Sequence, residues 1–217
     1  MAASPSYRAA ISAASLIVGP GLMSVGDLIH PAEDWDPAVQ VAIVAESPMR
    51  WYAAHLLLFI GLLLFVPGIG ALTSVVASRR PRAGYAARIL MFASVGALSG
   101  VFVSEMLLGR FIAAGANREA AITLFNVFQS PAVFAALVPG LLAFFVGTAL
   151  AVFALASPAG PFRWPALALG LGALLIMGEI ILAQVRLSQI GNIVMLIAGI
   201  GFARLLPRAP AGAADVT

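Results

Sequence analysis

The sequence of 217 residues contains no cysteine and no lysine. Without cysteine, the chain cannot form disulfide bonds, thiolate nucleophiles, cysteine-ligated zinc sites or iron–sulfur clusters. All 12 basic residues are arginine, so there is no lysine for the Schiff base that holds retinal. The chain has two histidines, His30 and His55. Few side chains are therefore available for metal binding or for acid–base chemistry near neutral pH.

Charged residues are also scarce. They make up 10% of the chain against 62% hydrophobic residues, and the mean hydropathy is +1.04. Repeated apolar runs of about 20 residues are typical of membrane-spanning helices, whereas barrel strands show alternation over about 10 residues. The arginines flank these runs and do not form a basic stripe with interleaved aromatic residues, so nucleic acid is not an expected partner. The sequence predicts an all-α integral membrane protein.

The apolar runs predict one domain, residues 1–206, with six transmembrane helices. The predicted spans cover approximately residues 7–30, 50–77, 85–108, 131–156, 164–183 and 187–203. Residues 207–217 are expected to form a flexible cytoplasmic tail. The polar connections predict one or two interfacial helices, the first beginning at Asp36-Pro37 and the second at Asn117. Proline–glycine pairs in spans one, two and four are expected to kink or interrupt those helices.

Arginine positions predict the topology in the membrane. Eight arginines fall on the side that carries both termini, and four fall on the other side. The first group is Arg8, Arg79, Arg80, Arg82, Arg88, Arg163, Arg204 and Arg208, and the second is Arg50, Arg110, Arg118 and Arg186. Because short cytoplasmic loops are enriched in basic residues, we expect both termini in the cytoplasm of a plasma-membrane protein. The polar connections and the end of span one then face the extracytoplasmic side.

Three ionisable residues inside the spans fall at a similar depth on that extracytoplasmic side. His55, Glu105 and Glu179 each lie about 8–10 Å along a helix from the arginine near its end. Each has apolar neighbours on both sides, and charged groups inside a membrane are costly and commonly functional. We predict that these three residues are catalytic. The alternative is structural pairing, for example His55 with Glu105 or Arg110 with Glu179.

Further polar residues reach the same level and are predicted to bind substrate. Asp27 and His30 are three residues apart on one face of the first helix, at the end of its apolar run. Either could instead be an ordinary boundary residue whose side chain extends to the interface. The full predicted binding set is Asp27, His30, Trp51, Gln129, Gln189 and Asn192.

The chemistry of this layer remains open between several alternatives. His30, His55, Glu105 and Glu179 offer the ligand types of zinc or non-haem iron, although no compact metal motif is present. A metal-free alternative is a carboxyl group in an apolar environment that exchanges protons with a lipid-soluble substrate. A haem held by the two histidines is less favoured, because they lie near one edge on neighbouring helices.

The expected function is a membrane-embedded enzyme or binding protein that handles a hydrophobic small molecule of the lipid or isoprenoid class. Its architecture is similar to that of membrane isomerases and membrane terpene cyclases. A transporter of small molecules or ions is the main alternative, favoured by the proline–glycine pairs and the acidic outer connection. A structural membrane subunit is the third. Expected partners are membrane lipids and, through Gly96 and Gly100, a second copy of the chain.

Two histidine-containing segments carry a family resemblance. Gly26-Asp27-x-x-His30-Pro31, an acidic connection, and Arg50-Trp51-x-x-x-His55 are followed by a Pro-Gly pair in the same span. This order resembles that of small six-span membrane proteins of high-GC actinobacteria, over nearly the whole chain. The resemblance implies the six-span architecture and implies that the two histidines belong together. It carries no catalytic role.

Overall fold

The computed structural model describes residues 7–182 and 185–206 and is 89% helical. Within these residues there are eight helices and no strands. The helices are α1 (Tyr7–Ile29), α2 (Pro37–Glu46), α3 (Pro48–Arg79), α4 (Pro81–Ala113), α5 (Arg118–Phe128), α6 (Pro131–Leu155), α7 (Arg163–Leu182) and α8 (Val185–Leu205). The all-α prediction is therefore confirmed.

Five of the helices, α1, α3, α4, α6 and α8, are long and apolar enough to cross a membrane. They correspond to predicted spans one, two, three, four and six, and α3 and α4 extend several residues beyond the predicted bounds. Helix α7 occupies the position of the predicted fifth span, and its membrane crossing stays a prediction. The predicted end of that span at residue 183 and the predicted tail at 207–217 lie outside the described residues.

The six long helices pack in a closed ring. Going around it, α1 contacts α3, α3 contacts α4, α4 contacts α6, α6 contacts α7, α7 contacts α8, and α8 returns to α1. The short helices α2 and α5 pack against each other and against α4. They cover one end of the bundle through an apolar cluster that includes Val41, Val44, Trp51, Leu108 and Phe125.

The starts of both short helices were predictable because each has a side-chain cap. The carboxylate of Asp36 accepts hydrogen bonds from the backbone N–H groups of Ala38 and Val39, and proline occupies the first position of α2. The side chain of Asn117 accepts from the N–H of Ala120 at 2.8 Å. Such caps satisfy N–H groups that have no partner within the helix. Both predicted helix starts are confirmed.

The helices run without interruption through Pro20, Pro67 and Pro139. In α3, the hydroxyl of Ser15 from α1 accepts from the N–H of Gly68 at 2.8 Å and donates to the carbonyl of Leu64. The serine therefore contacts both of the groups that pair with each other in a regular helix. This contact ties α1 to α3. The described helices are not interrupted at the proline–glycine pairs, and the predicted kinks at these pairs stay a prediction.

Close helix approach occurs at a glycine that the sequence argument did not select. A Cβ atom on Gly26 of α1 would lie 2.9 Å from the carbonyl oxygen of Ala54 in α3, so the two backbones are nearly in contact. In contrast, a Cβ on Gly96 would have nothing within 4 Å, and one on Gly100 would meet Leu137 at 3.6 Å. Gly96 and Gly100 mediate no close backbone approach among the described residues. Their role between copies of the chain stays a prediction.

Candidate functional site

A cavity of about 330 Å³ lies inside the ring of long helices. Its lining includes all five ionisable residues that the sequence argument placed at one depth: Asp27, His30, His55, Glu105 and Glu179. The predicted binding residues Trp51, Gln129 and Asn192 also line it. The rise per residue of a helix predicts how deep each residue lies in the bundle. Because the long helices form a ring, residues at the same depth line one cavity. The catalytic and binding roles assigned to these residues stay predictions.

The two histidines of the chain contact each other at the polar end of this cavity. His30 follows the last residue of α1, and His55 lies on α3 two turns after its start. Their Nε2 atoms are 3.3 Å apart, and the rings meet edge to face with centroids 4.7 Å apart. Both side chains are buried. His55 therefore faces His30, and the alternative pairing of His55 with Glu105 is not observed.

The tautomer of each histidine follows from the partner of its other nitrogen. Nδ1 of His30 lies 2.7 Å from the carbonyl oxygen of Pro31, and Nδ1 of His55 lies 3.0 Å from that of Trp51. A carbonyl oxygen only accepts, so both Nδ1 atoms must carry the hydrogen. In a neutral imidazole the second nitrogen then has a lone pair and no hydrogen. Two such nitrogens face each other in this pair.

Glu33 is the third member of the cluster, and the sequence argument missed it. Its Oε1 lies 3.4 Å from Nε2 of His30. Donor atoms of His30, Glu33 and His55 all lie within 4.8 Å of one another, which makes these residues a candidate metal-binding group. Among the described residues, Glu33 and not Glu105 or Glu179 completes this group. The available signal was its spacing, three residues after His30 across a proline.

Burial shifts the pKa values of the two cluster residues that lie outside the helices. Loss of solvation lowers the pKa of His30, and the hydrogen bond to Pro31 opposes this effect. Loss of solvation raises the pKa of Glu33 to about 7. The Glu33 side chain is 46% accessible, but it lines the cavity, where surrounding protein replaces much of the bulk water. Both shifts favour the neutral forms, so the 3.4 Å contact is not a strong ion pair.

Trp51 positions the histidines. Its indole ring lies 4.6 Å from the ring of His30 and 4.7 Å from that of His55, measured between centroids. Its Nε1–H donates to the backbone carbonyl of Glu105 at 3.0 Å, which links α3 to α4. The side chain is only 1% exposed. Trp51 lines the cavity, and its contacts fix the orientation of the pair.

Glu105 brings a carboxyl group to the same end of the cavity. Its Oε2 atom is buried and has no hydrogen-bond partner among the described residues. A buried polar atom without a partner is costly, and its presence at a cavity commonly indicates a ligand or a function. Glu179 of α7 lines the same cavity. Both acids are therefore placed to reach a bound molecule.

Asp27 accepts hydrogen bonds from residues of α8, among them Ser188. The Nδ2 group of Asn192 donates to Oδ2 of Asp27 at 2.6 Å, and Nε2 of Gln189 donates to the Asp27 carbonyl at 3.0 Å. Gln189 is not part of the cavity lining. These contacts join the end of α1 to α8. Asp27 and Asn192 form part of the wall at the polar end.

Away from the histidines the cavity becomes apolar. Its α3 side is formed by Leu58, Leu62, Phe65 and Ile69. Ile69 lies 14 residues after His55, which corresponds to about 21 Å along the helix. Beyond it, buried apolar side chains such as Leu72, Val76, Leu155 and Phe202 pack into a core cluster. We call the apolar part of the cavity the shaft.

A scan against models of protein families, a search of curated proteins and a search of solved structures each found no match to this chain. The geometry of the shaft and of its polar end is therefore the basis for a functional assignment.

Proposed function

We propose that this protein is a plasma-membrane enzyme that binds one amphiphilic molecule of the lipid or isoprenoid class. The apolar chain of the molecule occupies the shaft, and its polar group lies against His30, His55 and the neighbouring carboxyl groups. The observation that carries the proposal is the continuity of one cavity from a cluster of ionisable side chains into an apolar shaft. Its volume of about 330 Å³ is in the range of small-molecule sites.

Helix α7 is the sixth span in this proposal. It has 20 residues, or about 30 Å, which matches the hydrocarbon thickness of a bilayer. It packs between α6 and α8 and closes the ring of helices that are long and apolar enough to span. A ring in which five helices cross the membrane and the sixth does not would leave the shaft open on one side.

The proposed orientation places the histidines near the headgroups of the outer leaflet. Arg79 ends α3 at the side rich in arginine, and it lies 24 residues from His55. This separation is about 36 Å along the helix, longer than the hydrocarbon thickness of about 30 Å. With Arg79 at the cytoplasmic surface, the polar end of the cavity therefore reaches the opposite interface. The helices α2 and α5 then lie on the extracytoplasmic face.

The proposed chemistry is proton transfer to or from the polar group of the bound molecule. Glu105 offers a buried carboxyl oxygen that no protein group engages among the described residues. Glu179 lines the same space, and Nε2 of His55, which faces Nε2 of His30, supplies an imidazole lone pair. A positioned acid or base of this kind typically accelerates a reaction by about 10²–10⁴-fold. Glu105 and Glu179 are the proposed acid–base residues, with His55 as their partner.

Two observations favour a site open at one end over a transport path. The shaft ends on a packed apolar core, and the described helices are continuous through their prolines. The buried hydroxyl groups of Thr73 and Ser94 donate to carbonyls of their own helices. A path for polar solutes would need groups that face a continuous channel.

Photo-cross-linking tests the binding part of the proposal. The purified protein in lipid nanodiscs is incubated with a single-chain lipid that carries a diazirine near the end of its chain. We expect cross-links on peptides with shaft residues such as Phe65. Leu62→Trp should remove them by filling the shaft, whereas Leu63→Trp should not, because Leu63 is 45% exposed on the outer surface of the same helix. Equal labelling of both variants would contradict binding in the shaft.

Turnover tests the catalytic part. Lipids extracted from bacterial membranes are incubated with the protein, and their conversion is followed by mass spectrometry. Glu105→Gln should keep the cross-links and slow conversion by about 10²-fold or more, because it removes the acid–base group and preserves the side-chain shape. Glu119→Gln, on the exposed surface of α5, is the matched control. If the wild-type protein binds lipid but converts none, the proposal of an enzyme is rejected, and the protein is a binding protein.

A further inference from the structure

We propose that His30, Glu33 and His55 bind one divalent transition-metal ion through the two Nε2 atoms and the carboxylate. The site would lie at the polar end of the cavity. The inference depends on the geometry of these three side chains and does not require that a lipid occupies the shaft. Glu33 was not among the residues that the sequence suggested as ligands, so the proposed ligand set is new to the structure.

The lone pairs of the two Nε2 atoms face each other. Both Nδ1 atoms donate to backbone carbonyls, so both Nε2 atoms are acceptors in the neutral rings. These acceptors are only 3.3 Å apart in a buried environment. Two lone pairs at this distance repel unless a proton or a cation lies between them. A divalent cation placed between the two nitrogens would engage both lone pairs.

The distances between the donor atoms match those between neighbouring ligands of one metal ion. Zinc binds histidine nitrogen and carboxylate oxygen at about 2.0–2.2 Å in tetrahedral geometry, so two ligand atoms of one ion should lie about 3.3–3.5 Å apart. The observed separations are 3.3 Å between the two nitrogens and 3.4 Å between Nε2 of His30 and Oε1 of Glu33. Both agree with neighbouring ligands of one ion.

Backbone carbonyls and an indole ring hold the two imidazole rings in position. Histidines that bind metals almost always donate their second N–H to a carbonyl, a carboxylate or water, which fixes the tautomer and the ring orientation. Here the carbonyls of Pro31 and Trp51 have this role for His30 and His55. The indole of Trp51 packs against both rings. The two nitrogens are therefore held in place before any ion binds.

The ligand set leaves room for a further ligand. Two histidines and one glutamate occur in catalytic zinc sites that keep the fourth position for water or substrate, and similar sets bind non-haem iron. In this chain the cavity lies beside the cluster and also receives Glu105 and Glu179. An ion here would contact the polar group of a molecule bound in the shaft.

Metal titration of the wild-type protein tests the proposal directly. The protein is purified in detergent without a polyhistidine tag, treated with a chelator and titrated with Zn²⁺ or Co²⁺. The chain has two histidines and no cysteine, so these metals have little alternative imidazole or thiolate binding. We expect one ion per chain, measured by calorimetry and elemental analysis. Bound Co²⁺ should give the visible absorption bands typical of a site with nitrogen and oxygen ligands.

Matched variants assign the ion to this cluster. His55→Asn should abolish the Co²⁺ spectrum, and Glu33→Gln should weaken binding by at least about tenfold, the lower end of what the loss of a supporting partner costs. Glu119→Gln, a surface substitution of the same type, should bind like wild type. Glu33→Gln decides the question if His55→Asn fails to fold, because the Glu33 side chain is half accessible.

Two results would overturn the metal site. The first is a wild-type protein that takes up no Zn²⁺ or Co²⁺ at micromolar concentrations. The second is unchanged stoichiometric binding in both His55→Asn and Glu33→Gln. Cross-linking of the diazirine lipid to Glu33→Gln is measured in parallel. The shaft is intact in that variant, so cross-links without metal binding would reject the metal site alone, whereas missing cross-links would count against the proposed function.

Discussion

The close approach of α1 and α3 beside the two histidines gives a specific prediction for Gly26→Ala. The added methyl group would lie 2.9 Å from the Ala54 carbonyl oxygen, 3.0 Å from Cγ of Leu58 and 3.2 Å from its backbone nitrogen. Ordinary contacts of a Cβ atom begin near 3.4 Å. Two of these neighbours are backbone atoms, which cannot rotate away. The helices must therefore separate by about 0.5 Å at this level.

The expected loss of stability follows from two opposing terms. Overpacking of a tight interface typically costs about 1–3 kcal/mol, and alanine in place of glycine returns up to about 1 kcal/mol in a helix. A net loss of about 1–2 kcal/mol corresponds to a decrease in Tm of roughly 2–8 °C for a chain of this size. The same movement would widen the 3.3 Å separation between His30 and His55, which lie one turn further along this interface. Metal affinity should fall with it.

Thermal unfolding in detergent, followed by circular dichroism, measures the first effect, and Co²⁺ titration measures the second. Gly70→Ala on α3 is the matched control, because an added Cβ there would have nothing within 4 Å. It should melt at or above the wild-type temperature and bind Co²⁺ normally. If Gly26→Ala is as stable as Gly70→Ala, the two helices are farther apart than described, and the argument that their contact sets the histidine spacing is refuted.

Two other polar contacts between helices give predictions of the same kind, each measured as Tm in one detergent. Ser15→Ala removes two hydrogen bonds between α1 and α3 and should cost about 1–3 kcal/mol. Ser78→Ala, whose hydroxyl bonds within its own helix, should cost less. Asn192→Ala takes the 2.6 Å donor from the buried carboxylate of Asp27 and should cost about 1.5–3 kcal/mol. Asn126→Ala, on an exposed surface of α5, is the control for Asn192→Ala and should leave the Tm unchanged. Equal Tm values for a variant and its control would contradict the corresponding contact.

Much of the helix layout could be predicted because it depends on local signals. Apolar runs set the long helices, and the caps Asp36 and Asn117 set the starts of the short ones. The convergence of His55 and Glu105 could also be anticipated, since helix rise fixes the depth of a residue once the direction of its span is known. The depth of a residue does not determine the direction in which its side chain points around the helix axis, however. The sequence therefore left open whether His55 would face Glu105 or His30.

Two features escaped prediction for physical reasons. The segment that carries Glu33 has no helical or strand periodicity, so the position of its carboxylate depends on how the chain turns after α1. The choice between glycines is similarly non-local. Gly96 and Gly100 have favourable spacing, yet close contacts form at other glycines such as Gly26, because the face that meets another helix is set by the packing of the whole ring.

The turn after α1 holds Glu33 in place without regular secondary structure. Before it, Arg50 donates to the last carbonyl of α1 at 2.6 Å. After it, the N–H of Asp34 donates to the buried side chain of Gln40 at 2.7 Å, and the Asp34 carboxylate accepts from the next turn of chain. The backbone is therefore held by hydrogen bonds on both sides of Glu33, at Ile29 and at Asp34. Such anchoring lowers the entropy lost when a side chain binds a ligand, because the backbone is ordered beforehand. The same bonds that close the turn thus favour Glu33 as a third ligand beside the two histidines.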